Sequence, residues 1–132
     1  AVTADERRTI EQVLEPTGQL LWLEREADLD AVTALSGSGP AYVFYFIEAM
    51  MQAAAEMGLG EAQGRALALA TFAGATALAA QSDDAPAVLR ERVTSKGGTT
   101  HAALAALEAS GVKAAFVQAL HAARRRAEEL GG

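Results

Sequence analysis

Apolar residues recur at helical spacing along most of the chain. After Pro40, a set of apolar side chains follows the i, i+3, i+4, i+7 pattern of one helix face: Val43, Phe46, Ile47, Met50, Ala54 and Met57. Gly58 or Gly60 is expected to end this helix. The same periodicity predicts further helices over about 28–35, 61–80, 86–92, 99–109 and 112–130. The pattern therefore predicts an all-α fold, a multi-helix bundle.

The predicted helix over residues 61–80 has no polar face after Arg65. A helix that is apolar all round must be buried on every side. A chain of 132 residues has few other elements with which to surround it, so we expect a second copy of the chain to interleave with it. Small residues on this helix let other helices approach closely: Ala66, Ala70, Ala73, Gly74 and Ala77. The alternative is a central helix that is buried inside a single chain.

The first 27 residues follow a different pattern. Thr3 to Glu6 has the spacing of a capping box and predicts a helix to about Glu15, which Pro16 and the following residues end. The continuous apolar run over 19–24 then predicts a strand that is buried on both faces. Such a strand requires a sheet, and no later segment supplies one. We therefore predict two parts: residues 1–27, a remnant helix and strand of a missing α/β domain, and residues 28–132, a helical domain.

Composition and charge exclude several functions. The chain is 51% hydrophobic but only 5% aromatic, which suits close-packed, alanine-rich helices. Its net charge is -6 and no basic stripe offsets it, so we expect no nucleic-acid partner. The absence of cysteine excludes disulfides and thiolate chemistry and fits a cytoplasmic protein. The uncharged run from Ala66 to Ser82 is shorter than the roughly 20 apolar residues of a membrane span, so we expect no membrane association.

The segment from Thr94 to Thr100 is the strongest candidate for chemistry. Gly97 and Gly98 let the backbone approach a ligand without Cβ atoms in the way. A helix is predicted to begin directly after them, with unpaired N–H groups and the positive end of its dipole exposed. Such a corner binds a carboxylate or a phosphate. An ordinary helix start with Thr99 or Ser95 as its cap explains the same residues equally well.

Other candidates have simpler explanations. The segment from Gly37 to Gly39 lacks the third glycine and the preceding strand of a dinucleotide-binding loop. Asp83 and Asp84 precede Pro86, and we interpret them as helix caps rather than as an acid–base pair. His101 and His121 have no accompanying ligand pattern, so no metal site is predicted.

Two segments resemble the pyrroline-5-carboxylate reductase family. They are Asp30 to Tyr42, which reads DAVTALSGSGPAY, and Val93 to Thr100, which reads VTSKGGTT. The resemblance extends from about Asp28 to the end of the chain, and the first 27 residues resemble the last helix and strand of the family's nucleotide-binding domain. It implies an enzyme that reduces 1-pyrroline-5-carboxylate to proline with NADPH or NADH. It also implies a homodimer of interleaved helical domains that often assembles further into a pentamer of dimers.

The resemblance implies roles for individual residues. The site for the small cyclic imino-carboxylate substrate would contain Val93, Gly97, Gly98, Thr99 and Thr100. The backbone amides of the last three would bind the substrate carboxylate, and Val93 would line the pocket. Thr100 would be the catalytic residue, because its hydroxyl would hydrogen-bond the imine nitrogen and help deliver its proton. Asp83 matches a position where the family can carry an acid, and the resemblance gives His101 no role.

The chain departs from the family in one large respect. It contains no strand followed by Gly-x-Gly-x-x-Gly, so we expect no cofactor-binding residues in it and no activity from it alone. Two other functions compete with this one. The chain could be a stand-alone helical module for self-association, or the helical domain of another two-domain dehydrogenase.

Overall fold

The described part of the chain is entirely helical. The computed structural model describes residues 27–131, and no strand occurs among them. The elements in chain order are α1 (Ala27–Val32), a π-helical turn (Thr33–Gly37), α2 (Gly39–Glu56), α3 (Glu61–Ala80), α4 (Pro86–Arg92), α5 (Thr99–Ala109) and α6 (Val112–Gly131). The predicted all-α fold is confirmed. The predicted helix near the N-terminus and the predicted strand over 19–24 lie outside the described residues.

The helix boundaries agree closely with the pattern of start and stop signals. The predicted bounds of α3, α4 and α5 are those observed, and α6 ends one residue later than predicted. The helix predicted over residues 28–35 is wrong at its end, because α-helical geometry stops at Val32 and a π-helical turn continues to Gly37. Ser38 N–H closes this turn by donating to Thr33 O over 2.9 Å. The spacing of apolar residues cannot show where α-helical hydrogen bonding changes to π-helical hydrogen bonding.

Residues 27–43 and 114–131 form one compact unit. Within it, the Tyr42 hydroxyl donates to Ala34 O in the π-helical turn, with a distance of 2.7 Å. The rings of Tyr42 and Phe116 lie edge to face with their centroids 5.7 Å apart, a favourable aromatic arrangement. Ala34 is only 2% exposed. Tyr42 therefore joins the turn to α6.

Residues 44–113 form the second unit. The hairpin between α2 and α3 begins with a Schellman motif, in which Leu59 N–H donates to Ala54 O and Gly58 N–H donates to Ala55 O. The two helices approach closely at Gly64, where an added Cβ would lie 3.0 Å from the Cβ of Ala54. Small side chains thus set the distance between α2 and α3.

The apolar helix α3 is not buried by its own chain. Only Gly64 and Ala68 are buried along its length, whereas the side chains of Leu67 and Leu78 are 57% and 65% exposed. The alternative of a central helix buried within one chain is therefore wrong. Water-exposed leucines on an alanine-rich helix are the expected surface of an interface.

Within residues 27–131, no single helix combines the length and the apolar composition that a membrane crossing needs. One bent pair, α5 with α6, passes that test of length and composition together.

The exposed face of α3 generates a prediction about assembly. We expect the protein to sediment as a dimer or a larger assembly, and Leu78→Glu to weaken the association at least about 100-fold, because a charge would be buried in an apolar interface without a partner. Gln118→Glu adds the same charge at an exposed polar position of α6 and is the control. A wild-type protein that sediments as a monomer at micromolar concentration would contradict this prediction.

Candidate functional site

The segment between α4 and α5 begins with residues that stay attached to α4. Thr94 N–H donates to Glu91 O over 3.1 Å, and the Thr94 hydroxyl donates to Arg90 O over 2.6 Å. Val93 is the C-terminal cap of α4. These bonds satisfy carbonyl groups that the end of a helix leaves without partners. They also fix the point from which the glycine-rich turn starts.

The turn depends on a left-handed residue at Gly97, whose φ is +76°. This conformation costs a residue with a Cβ roughly 1–2 kcal/mol, and glycine adopts it without that penalty. The N–H of Gly97 donates to Nδ1 of His101 over 3.0 Å. The amide of Gly97 is therefore already paired inside the protein.

Gly98 is the N-cap of α5, with extended backbone angles and no side-chain cap. The alternative in which Thr99 or Ser95 caps the helix is therefore wrong. Gly98 N–H donates to Ser95 O over 3.0 Å. A Cβ at Gly98 would lie 2.7 Å from Oγ of Ser95 and 3.2 Å from its carbonyl oxygen, so a side chain here would require Ser95 to move. This close approach favours glycine at the second position.

Directly after the two glycines, N–H groups are left without acceptors. The first hydrogen bond of α5 runs from Ala102 N–H to Gly98 O. The N–H groups of Thr99 and Thr100 have no acceptor within residues 27–131. Thr99 is exposed and Thr100 is half-buried. Two adjacent amide donors at the positive end of an eleven-residue helix form an arrangement that binds an anion.

Val93 lines an apolar groove that the other predicted site residues do not line. Its side chain is 66% exposed, and it lines an apolar groove of about 670 Å³ between the end of α3 and α4. Leu78, Pro86 and Leu89 line the same groove, whereas no residue from 97–100 does. Gly97, Gly98, Thr99 and Thr100 are thus brought together at one corner, and Val93 contributes to a neighbouring apolar surface.

The predicted capping role of Asp83 and Asp84 is wrong. The N-cap of α4 is Ala85, and no side chain caps this helix. Asp84 instead forms an ion pair with Nη1 of Arg92 at 2.6 Å, and its N–H takes the hydroxyl of Ser82 as acceptor. Attraction between opposite charges across α4 draws the carboxylate away from the helix start. Because both side chains are about half exposed, the pair adds little to stability.

His101 contributes to the corner although the sequence analysis gave it no role: its side chain accepts the hydrogen bond from Gly97. It is the third residue of α5, the position from which a polar side chain can reach back toward the residues before the helix. A polar side chain at the third helical position, after two glycines, was the sequence signal that could have predicted this bond. His121 is exposed on α6, and no three His, Cys, Asp or Glu side chains come close enough together to hold a metal ion within the described part.

These features define a class of protein: an all-helical domain with an apolar helix exposed to water and a glycine-bounded helix start. Residues 26–130 match the family model for pyrroline-5-carboxylate reductase dimerisation. The chain therefore belongs to the pyrroline-5-carboxylate reductase family, and the resemblance noted in its sequence is confirmed.

Curated relatives and solved structures agree with this assignment. The chain is 48% identical over 119 residues to the pyrroline-5-carboxylate reductase of Pseudomonas aeruginosa, covering 90% of the chain and 44% of the relative. It is 42% identical over 130 residues to that of Corynebacterium melassecola, covering 98% and 48%. It also matches the crystal structure of Plasmodium falciparum pyrroline carboxylate reductase with NADP bound, with a TM-score of 0.84 and 29% identity, covering 99% of this chain and 51% of that one. The chain spans about half the length of the relatives it matches.

The geometry of the corner predicts unequal costs of substitution at different glycines. Gly97→Ala is expected to lower the free energy of unfolding by about 1–2 kcal/mol, because alanine disfavours positive φ. Gly131→Ala is the control, since its Cβ would meet nothing within 4 Å and its backbone is not left-handed. Chemical denaturation monitored by circular dichroism measures both changes. Equal effects of the two substitutions would contradict the assigned role of Gly97.

Proposed function

We propose that this chain is the dimer-forming and substrate-binding part of a reductase that converts 1-pyrroline-5-carboxylate to L-proline with NADPH or NADH. Family membership supports the reaction. The observation that carries the proposal is the start of α5, where two adjacent N–H groups without acceptors in the described residues follow two glycines. The substrate is a small cyclic imino-carboxylate, and its carboxylate is the kind of anion that such a helix start binds.

In this proposal, the amides of Thr99 and Thr100 donate to the substrate carboxylate. Gly97 and Gly98 contribute mainly through their backbone conformation, because their own amides are paired with His101 and with Ser95 O. Their lack of side chains leaves the approach to α5 open to the ligand. The exposed Lys96 in the same turn adds positive charge near the carboxylate. Val93 supplies apolar surface from the neighbouring groove between the end of α3 and α4.

Thr100 is the proposed catalytic residue. Thr100 is a half-buried residue, the second of α5, next to the amides that hold the carboxylate. Its hydroxyl makes no hydrogen bond within the described part of the chain. It is free to hydrogen-bond the imine nitrogen and to help deliver the proton that this nitrogen gains on reduction. A residue that holds both the carboxylate and the nitrogen fixes the face of the ring that is reduced.

The nicotinamide cofactor supplies the hydride. No residue from 27–131 is assigned to it, because this part of the chain contains no strand followed by a glycine-rich turn. The NADP in the Plasmodium falciparum crystal structure supports such a cofactor in the complete protein. We propose that residues 1–27 belong to its nucleotide-binding domain and that residues 28–132 form the second domain.

In this proposal, the reductase is a cytoplasmic homodimer of interleaved helices that assembles further into a pentamer of dimers. The dimerisation family and the exposed leucines of α3 support the dimer. Association also has a direct physical reason, since apolar area removed from water stabilises the interface by about 25 cal/mol per Å².

The role of Thr100 is tested in the full-length protein that carries this chain. Thr100→Val removes the hydroxyl and keeps the branched shape, so kcat/KM for the imine is expected to fall about 10- to 100-fold, the loss of a hydrogen bond to a group that becomes charged. Thr100→Ser keeps the hydroxyl and is expected to retain most of the activity. Oxidation of NADPH followed at varied imine concentration gives both values. Equal activity of Thr100→Val and the wild type would contradict the assignment.

The proposed division of labour gives a second test. The 132 residues alone, mixed with the imine and NADPH, are expected to show no turnover, because hydride transfer requires a cofactor that another domain binds. The full-length protein under the same conditions is the positive control. Turnover by the 132-residue chain would contradict the division.

A further inference from the structure

The side chain of His101 contacts the backbone of the glycine-rich turn that precedes α5. It is the third residue of α5, and its Nδ1 lies 3.0 Å from the N–H of Gly97. An imidazole nitrogen that accepts a hydrogen bond carries no proton, so the proton of the neutral ring resides on Nε2. The bond therefore requires the tautomer of His101 in which Nδ1 carries no proton.

This bond restrains the residue on which the corner depends most. Gly97 has the left-handed backbone that turns the chain into α5, and glycine has more backbone freedom than any other residue. Its N–H is held by His101, whereas the next N–H, that of Gly98, is held by Ser95 O. The two bonds fix consecutive peptide groups, and the amides of Thr99 and Thr100 follow directly after them.

The arrangement resembles a capping box that is displaced by one residue. In a capping box, the side chain at the third helical position accepts from the N–H of the N-cap residue. The N-cap here is Gly98, but the side chain of His101 reaches the residue before it. Because Gly98 N–H already has an acceptor, His101 is left to fix the orientation of the preceding peptide group.

We propose that His101 is a positioning residue: its neutral imidazole holds Gly97 so that the amides of Thr99 and Thr100 stay directed toward the substrate carboxylate. This inference rests on the proposed function. His101 acts through Gly97 and needs no contact with the reacting atoms. Its loss should therefore weaken substrate binding more than it slows the reaction of bound substrate.

Two variants in the full-length protein separate the acceptor from the ring. His101→Phe keeps an aromatic ring and removes the acceptor. His101→Asn removes the ring and places Oδ1 as many bonds from Cβ as Nδ1 is in histidine. We expect His101→Phe to raise the KM for the imine about fivefold, the loss of one ordinary hydrogen bond, with the KM for NADPH unchanged. His101→Asn should restore most of the lost affinity, and His121→Phe on α6 is the matched control.

A spectroscopic measurement on the wild type accompanies the kinetics. In protein with ¹⁵N-labelled histidine, Nδ1 of His101 is expected to show the chemical shift of an unprotonated nitrogen and Nε2 that of a protonated one. This readout requires no variant to fold and no substrate to turn over. A proton on Nδ1 of the neutral ring would overturn the proposal, because the bond to Gly97 could not form.

The kinetic outcomes also separate the proposal from the proposed function. An active wild type combined with an unchanged KM in His101→Phe would overturn the role of His101 alone. Equal losses in His101→Phe and His101→Asn would do the same, because the acceptor would then not be the cause. A wild-type protein that does not reduce the imine would overturn the proposed function, and the positioning role with it.

Discussion

The stability of the structure depends on burying apolar side chains that a single copy of the chain leaves exposed to water. Among the described residues, the buried hydrophobic side chains are Ala34 and Ala68, and both are small. Large apolar side chains on several helices remain exposed, among them Phe44, Leu67 and Leu78. Because the folded state is favoured by only a small difference between large terms, a fold that buries so little by itself requires further burial to be stable. Membership in a dimerisation family identifies its source as a second copy.

The need for a second copy gives α3 and α5 different roles. α3 is rich in alanine because an interface between helices is closest where side chains are small, and close approach is already visible within one chain where Gly64 meets Ala54. α5 has a different task, because the turn before it is shaped by local contacts: Gly97 bonds to His101, and Gly98 bonds to and lies close to Ser95. The corner around Gly97 and Gly98 is held by these local bonds, so it can present two amides to an anion whatever covers α3.

The helix boundaries could be predicted from the sequence because residues at or next to each boundary determine them. Gly60 and Gly98 directly precede α3 and α5, and Pro86 is the first residue of α4; all three helices begin at the predicted residue. The prediction failed where a contact between residues eight positions apart decides the conformation. The π-helical turn is held partly by the hydroxyl of Tyr42, and Asp84 is drawn to Arg92 instead of capping α4. At the site, the glycines were predictable, but the bond from Gly97 to His101 was not, since a histidine in a first turn has many possible partners.

A crystal structure of the full-length protein with bound proline tests the central claim most directly, since proline is the proposed product and carries the same carboxylate. We expect the carboxylate oxygens to lie within hydrogen-bond distance, about 3 Å, of the backbone nitrogens of Thr99 and Thr100, and a second copy to cover the exposed leucines of α3. A carboxylate bound away from the start of α5, or an α3 that remains exposed to solvent, would contradict it.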